Sequence, residues 1–145
     1  MERTIGFKER RYIEELRILT KSTAVDCLLD ERFDRIIYII RPGDMGLAIG
    51  KKGENIRRMQ KVLGRKIEMV EYSENPGEFM ANMFRPAVVS RATEEDGRVN
   101  IVIGKKADLG LAIGRGGANV EKARLLFRRF FGQELGEILA PEDGS

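Results

Sequence analysis

The sequence predicts an α+β fold built as two tandem modules, each running α-β-β-α-α-β. Three observations carry that prediction. A glycine-containing segment occurs twice: Gly46-Leu47-Ala48-Ile49-Gly50-Lys51-Lys52-Gly53-Glu54-Asn55-Ile56 and Gly110-Leu111-Ala112-Ile113-Gly114-Arg115-Gly116-Gly117-Ala118-Asn119-Val120. The flanks of the two segments repeat in the same order. The whole chain has 145 residues, 42% hydrophobic and 34% charged, which suits one ordinary domain or two small ones.

Each module opens with a helix. In the first, Phe7, Tyr12, Ile13, Leu16 and Leu19 recur at roughly helical spacing. In the second, Pro76 suits a first helical turn, Phe79, Met80, Met83 and Phe84 make the apolar stripe, and Pro86 closes it. Two strands follow. Residues 24–29 and 35–40 read as strands in the first copy, 87–92 and 99–103 in the second. Charged turns separate them, Asp30 to Asp34 and Glu94 to Gly97, so each pair reads as a hairpin.

After the short glycine-rich helix and the loop comes a longer helix. Ile56, Met59, Val62 and Leu63 give its buried face in the first copy, and Val120, Ala123, Leu126, Phe127 and Phe130 in the second. Gly64 and Gly132 stop these helices. Residues 66–72 alternate as a strand, whereas the counterpart near Leu135 to Leu139 is interrupted by Gly136. The linker is Ser73-Glu74-Asn75, which sets domains at 1–73 and 74–145.

Composition excludes much chemistry. With no histidine and one cysteine there is no Ser-His-Asp or Cys-His pair, no zinc site of the Cys/His type and no internal disulfide. Adjacent carboxylates such as Glu14/Glu15 and Glu94/Glu95 do not face a common point in a regular helix or strand. An enzyme is therefore not expected, nor a cofactor, a metal or a small-molecule substrate. No apolar run spans a bilayer and no signal-type h-region opens the chain, so a cytoplasmic protein without a membrane partner is expected.

The positive charge is clustered. Lys51, Lys52, Arg57, Arg58, Lys61, Arg65 and Lys66 stand against Glu54 alone, and Arg115, Lys122, Arg124, Arg128 and Arg129 against Glu121 alone. Two such clusters suggest two anion-facing sites. The alternative is two solvated helix faces. Two glycines three apart let the backbone bend tightly, and the following helix presents unpaired N–H groups and its positive dipole end to an anion. The spacing fits neither a P-loop nor a dinucleotide fingerprint. A plain helical corner would need the glycines but not a base between them in both copies.

Gly50-Lys51-Lys52-Gly53 and Gly114-Arg115-Gly116-Gly117, each after Ile-Gly and before a helix, resemble the GXXG loops of KH domains. The element order resembles the type II arrangement, which implies a small three-stranded mixed sheet with helices packed on one face. Two such modules in direct tandem are similar to the archaeal NusA-like family, as are Arg11-Tyr12-Ile13, Asp26-Cys27 and residues 43–50. The resemblance covers roughly residues 6–140. It implies a non-catalytic, single-stranded RNA-binding factor in transcription elongation, termination or antitermination, whose loops clamp about four nucleotides. RNA polymerase is left open as a second partner, since bacterial NusA proteins dock on it through extra domains for which this length has no room.

By resemblance the RNA-binding residues are Ile49, Gly50, Lys51, Lys52, Gly53, Ile56, Arg57, Arg58 and Lys61 in the first copy, with Ile113, Gly114, Arg115, Gly116, Gly117 and Val120 in the second. Ile67 joins Ile49 and Ile56 as a candidate base-groove aliphatic, although core packing is the favoured explanation of such residues. Gly116 removes one side-chain charge from the second loop, so the first module is expected to supply more phosphate contact energy. The alternative function is a protein-interaction scaffold of a polymerase- or ribosome-associated assembly, with Glu94-Glu95-Asp96 and Glu142-Asp143 facing a basic partner.

Overall fold

The computed structural model describes residues 4–142. The chain divides into two compact units, Thr4–Phe79 and the chain from Met80 onward. The fold is α+β with two mixed three-stranded sheets.

In the first unit α1 (Phe7–Thr20) ends where Lys21 turns left-handed and donates its N–H to Arg17 O at 2.8 Å. Strands β1 (Ala24–Asp30) and β2 (Arg35–Ile40) pair antiparallel. Their turn is closed by Asp30, whose carboxylate accepts the Arg32 and Phe33 N–H groups and a 2.7 Å bond from Arg35 Nε. Both members of that ion pair are buried, so removing either would strand a charge away from water. Helices α2 (Met45–Ile49) and α3 (Glu54–Leu63) flank the glycine loop. Strand β3 (Lys66–Glu71) then pairs parallel to β2, Ile36 opposite Ile67 and Ile40 opposite Glu71.

All six residues of β2 are buried. This is what a continuous Ile-Ile-Tyr-Ile-Ile run in a central strand requires. The core brings together Leu16, Cys27, Ile36, Tyr38, Ile40, Ala48, Met59 and Ile67. Tyr38 is fully buried, and its hydroxyl donates to Tyr12 O at 2.8 Å, which offsets the cost of burying the group. Burial pushes its pKa up.

The second unit repeats the order. Helix α4 (Pro76–Met83) crosses the division between the units. Strands β4 (Val89–Glu95) and β5 (Arg98–Ile103) form the hairpin. Helices α5 (Leu109–Ile113) and α6 (Ala118–Leu126) flank the second loop, and β6 (Glu134–Leu139) pairs parallel to β5. The β4 strand starts two residues later than expected and runs on to Glu95.

Gly136 does not break the last strand. Val99 pairs with Leu135 and Ile101 with Ile138, so Asn100 alone faces both Gly136 and Glu137. The result is a bulge. The Asn100 carboxamide oxygen accepts the Glu137 N–H at 2.8 Å, and a Cβ at position 136 would run into that oxygen.

Two residues of the expected stripes point outward. Phe7 is 87% exposed and Val62 57% exposed. Among the described residues no helix is long and apolar enough to cross a membrane, and no cluster of three His, Cys, Asp or Glu residues could hold a metal.

Candidate nucleic-acid interface

The two glycine loops have almost the same backbone. Gly50 lies at φ 78°, ψ 168° and Gly114 at φ 80°, ψ 164°. Side-chain-bearing residues avoid this region. Next in line, Lys52 (φ 55°) and Gly53 (φ 75°) are left-handed, as are Gly116 (φ 63°) and Gly117 (φ 83°). Each loop is closed by the same pair of hydrogen bonds. Gly50 N–H donates to Gly46 O at 2.9 Å and Gly53 N–H to Gly50 O at 3.1 Å, with Gly114 to Gly110 and Gly117 to Gly114 at the same distances. The glycine of the second pair member is thus required by φ, and the first by φ and by space: a Cβ on Gly50 would sit 2.8 Å from the Asn55 nitrogen, and one on Gly114 2.6 Å from that of Asn119.

That crowding comes from a brace absent from the expected site. Asn55 Nδ2 donates to Leu47 O at 2.8 Å, and Asn119 Nδ2 donates to Ala112 O at 2.9 Å. In each copy the first asparagine of the second helix ties it to the helix before the loop. It also satisfies one of the carbonyls left over at that helix's end. The signal was in the sequence, as an asparagine at the same offset from both loops. A second missed residue is Asp44. Its carboxylate accepts the Thr23 N–H at 2.9 Å and pairs with Arg41 at 3.1 Å. The Thr23 N–H first, and then the Arg41 guanidinium, hold its pKa below the usual carboxylate value. It pins the start of α2 to the strand system.

The expected site residues fall into groups. Lys51, Lys52 and Arg115 are exposed at the loop tips, beside Gly50, Gly53, Gly114, Gly116 and Gly117. Arg57 folds back so that Nη1 donates to Lys52 O at 2.5 Å, which keeps its charge at the loop. Arg58 turns elsewhere: Nη2 donates to Leu19 O at the end of α1 and to Asn55 Oδ1 at 3.3 Å. Lys61 is exposed one helical turn beyond Arg57. Ile49, Ile56, Ile113 and Val120 are half-buried. Ile67 is instead fully inside the core, so core packing accounts for it.

In the second basic cluster two arginines pair with carboxylates of their own unit and the lysine is buried. Lys122 is buried, Arg124 pairs with Glu121 at 2.7 Å, and Arg128 grips Glu134 through both Nε and Nη2. The Arg128 hydrogen bonds hold the Glu134 carboxyl below its usual pKa. Arg115 thus remains as the exposed cation at the loop itself.

Residues 9–88, which include the first loop, match the family model of the KH domain. The chain belongs to the KH-domain family. Its similarity to proteins of the NusA group runs over most of its length. The probable transcription termination protein NusA of Halobacterium salinarum is 36% identical over 124 residues, 84% of this chain and 88% of that protein. The probable transcription termination protein NusA of Halococcus morrhuae is 33% identical over 133 residues, 90% of this chain and 94% of the relative. The crystal structure of APE1850 is similar with a TM-score of 0.76 at 34% identity, covering 94% of this chain and 100% of that one.

Proposed function

We propose that this chain is a single-stranded RNA-binding factor of transcription termination or antitermination, gripping nascent RNA through two GXXG loops. Two type II KH domains carry them, residues 1–73 and 74–145, so that α4 opens the second copy as α1 opens the first. The observation that carries the reading is the repeated loop backbone, with exposed cations at both tips. At each loop the start of a helix and exposed basic side chains adjoin, which suits a phosphate track. The NusA names of the relatives place those proteins in transcription termination, and the likeness over most of the chain supports the same role here.

In the first copy Lys51, Lys52, Arg57 and Lys61 supply charge, and Ile49 and Ile56 line the side where bases would lie. In the second, Arg115 supplies charge beside Ile113 and Val120. A titration of single-stranded RNA at several salt concentrations tests the reading. For three to five neutralised phosphates the log–log slope is about −2 to −3.5. Replacing Lys51 and Lys52 by Asp should remove most binding while the thermal melt stays cooperative. Unchanged affinity would reject the loop assignment.

The scaffold role, with RNA polymerase as a possible target of docking, is the second reading. It rests on the exposed Glu94, Glu95 and Asp96 at the β4–β5 turn. A pull-down of polymerase that survives nuclease digestion would favour it.

A further inference from the structure

A groove of about 300 Å³ lies between α1 and the far end of α3, lined by Lys8, Arg11, Tyr12, Glu15, Val62 and Leu63. It is separate from the glycine loop, which sits at the other end of α3. Nine residue steps of helix from Glu54 to Leu63 place it about 14 Å from the loop. Three of its charged groups stand out. Along the same helix Glu14 pairs with Arg17 at 2.5 Å, and on α6 Glu121 pairs with Arg124 at 2.7 Å. Lys8, Arg11 and Glu15 form no ion pair among the described residues, although Arg11 and Glu15 are one helical turn apart. The groove lining mixes these charges with Tyr12, Val62 and Leu63, and Val62 is 57% exposed.

We infer that this groove is a second contact for the RNA strand that the first loop holds, taking a base and its phosphate. The inference rests on the RNA-binding reading and extends it to a different surface. The chemistry fits a nucleotide in all its parts. Lys8 and Arg11 meet phosphate, the Tyr12 ring and the aliphatics Val62 and Leu63 meet a base face, and the Glu15 carboxylate accepts from a base amino or imino group. A uniformly basic track would not place a carboxylate here, since it repels phosphate. Arg58 lies between loop and groove, exposed and hydrogen-bonded to Leu19 O at the end of α1, so positive charge continues along the α1–α3 crevice. A strand held at the loop must extend about 14 Å further to reach the groove, so a longer oligonucleotide is needed to fill both.

The test titrates the full chain with four- and ten-nucleotide single-stranded RNAs of mixed sequence. Wild type is compared with Lys8→Gln/Arg11→Gln and with Lys51→Asp/Lys52→Asp, after thermal melts show that each variant folds. The groove variant should bind the ten-mer more weakly, with a salt slope shallower by about 0.7 for the one lost phosphate contact, and bind the four-mer as wild type does. A photoreactive ten-mer should cross-link to Tyr12 in the wild type. Groove-variant binding unchanged at both lengths overturns the inference and leaves the groove to a protein partner. Equal loss at both lengths overturns it as well. If the loop variant binds RNA normally, the loop reading fails by itself, while a length-selective loss in the groove variant still upholds the groove.

Discussion

The Asn55 side-chain amide donates to the Leu47 carbonyl at 2.8 Å, across the loop that separates their helices. In the second copy Asn119 makes a similar bond at 2.9 Å to Ala112 O, one residue further along than the counterpart of Leu47. The brace adds a side-chain tie to the two backbone hydrogen bonds that close the loop, whose glycines are costly to order from the unfolded chain. Asn55→Ala should therefore lower stability by about 1 kcal/mol, the usual net worth of such a bond. It should also weaken RNA binding by more than the stability change explains. Urea melts and RNA titration on one preparation check both effects. Loss of stability without loss of affinity would make Asn55 a fold residue only.

Gly50 and Gly46 should respond oppositely to alanine. At Gly50 a Cβ meets the Asn55 backbone nitrogen at 2.8 Å, and φ is 78°. A strained backbone of that kind costs about 1–3 kcal/mol before the clash is counted. Gly46 lies within α2 with nothing near its missing Cβ. Gly46→Ala should be neutral or stabilise by up to about 1 kcal/mol. Chemical denaturation midpoints for the pair decide it.

The two loops should be unequal. Reversal of charge at Lys51 and Lys52 should weaken RNA binding more than Arg115→Asp, since the first loop carries two exposed cations against one, and the other arginines of the second basic cluster are engaged by Glu121 and Glu134 or are half-buried. Binding isotherms at one fixed salt concentration compare them. An equal or greater loss from Arg115→Asp would contradict the asymmetry.

Gly136→Ala should destabilise the second unit by about 1–3 kcal/mol, the usual cost of overpacking. The reason is contact with the Asn100 carboxamide oxygen. Adding Asn100→Ala removes that oxygen and should restore part of the loss, even though it gives up the bond to the Glu137 N–H. Thermal melts of the single and double variants test this coupling.

Acid should loosen both units. The folded-state pKa values of Asp44 and Glu134 lie below those of free carboxylates, held down by the Thr23 N–H and by Arg128 respectively. Their contribution is thus present above the unfolded pKa, near pH 4, and is lost as pH falls through the lower folded value. Asp44→Asn should flatten the fall in melting temperature of the first unit below about pH 4. A variant that loses stability on acidification as steeply as wild type would remove Asp44 from the account.

The sequence by itself determined the repeat, the hairpins, the helix order and the loop glycines. These features depend on local rules: alternation, helical spacing, and the left-handed backbone that glycine tolerates. Tertiary structure decided what the long side chains do, because their partners are remote in sequence. Arg58 reaches Leu19, Lys122 is buried, Ile67 joins the core, and Val62 and Phe7 stay outside despite apolar spacing. The same holds for Asn100, which turns Gly136 from a strand breaker into a bulge. Spacing along a chain fixes which face a residue occupies, but only the packed neighbours settle whether that face meets solvent, a carboxylate or the core.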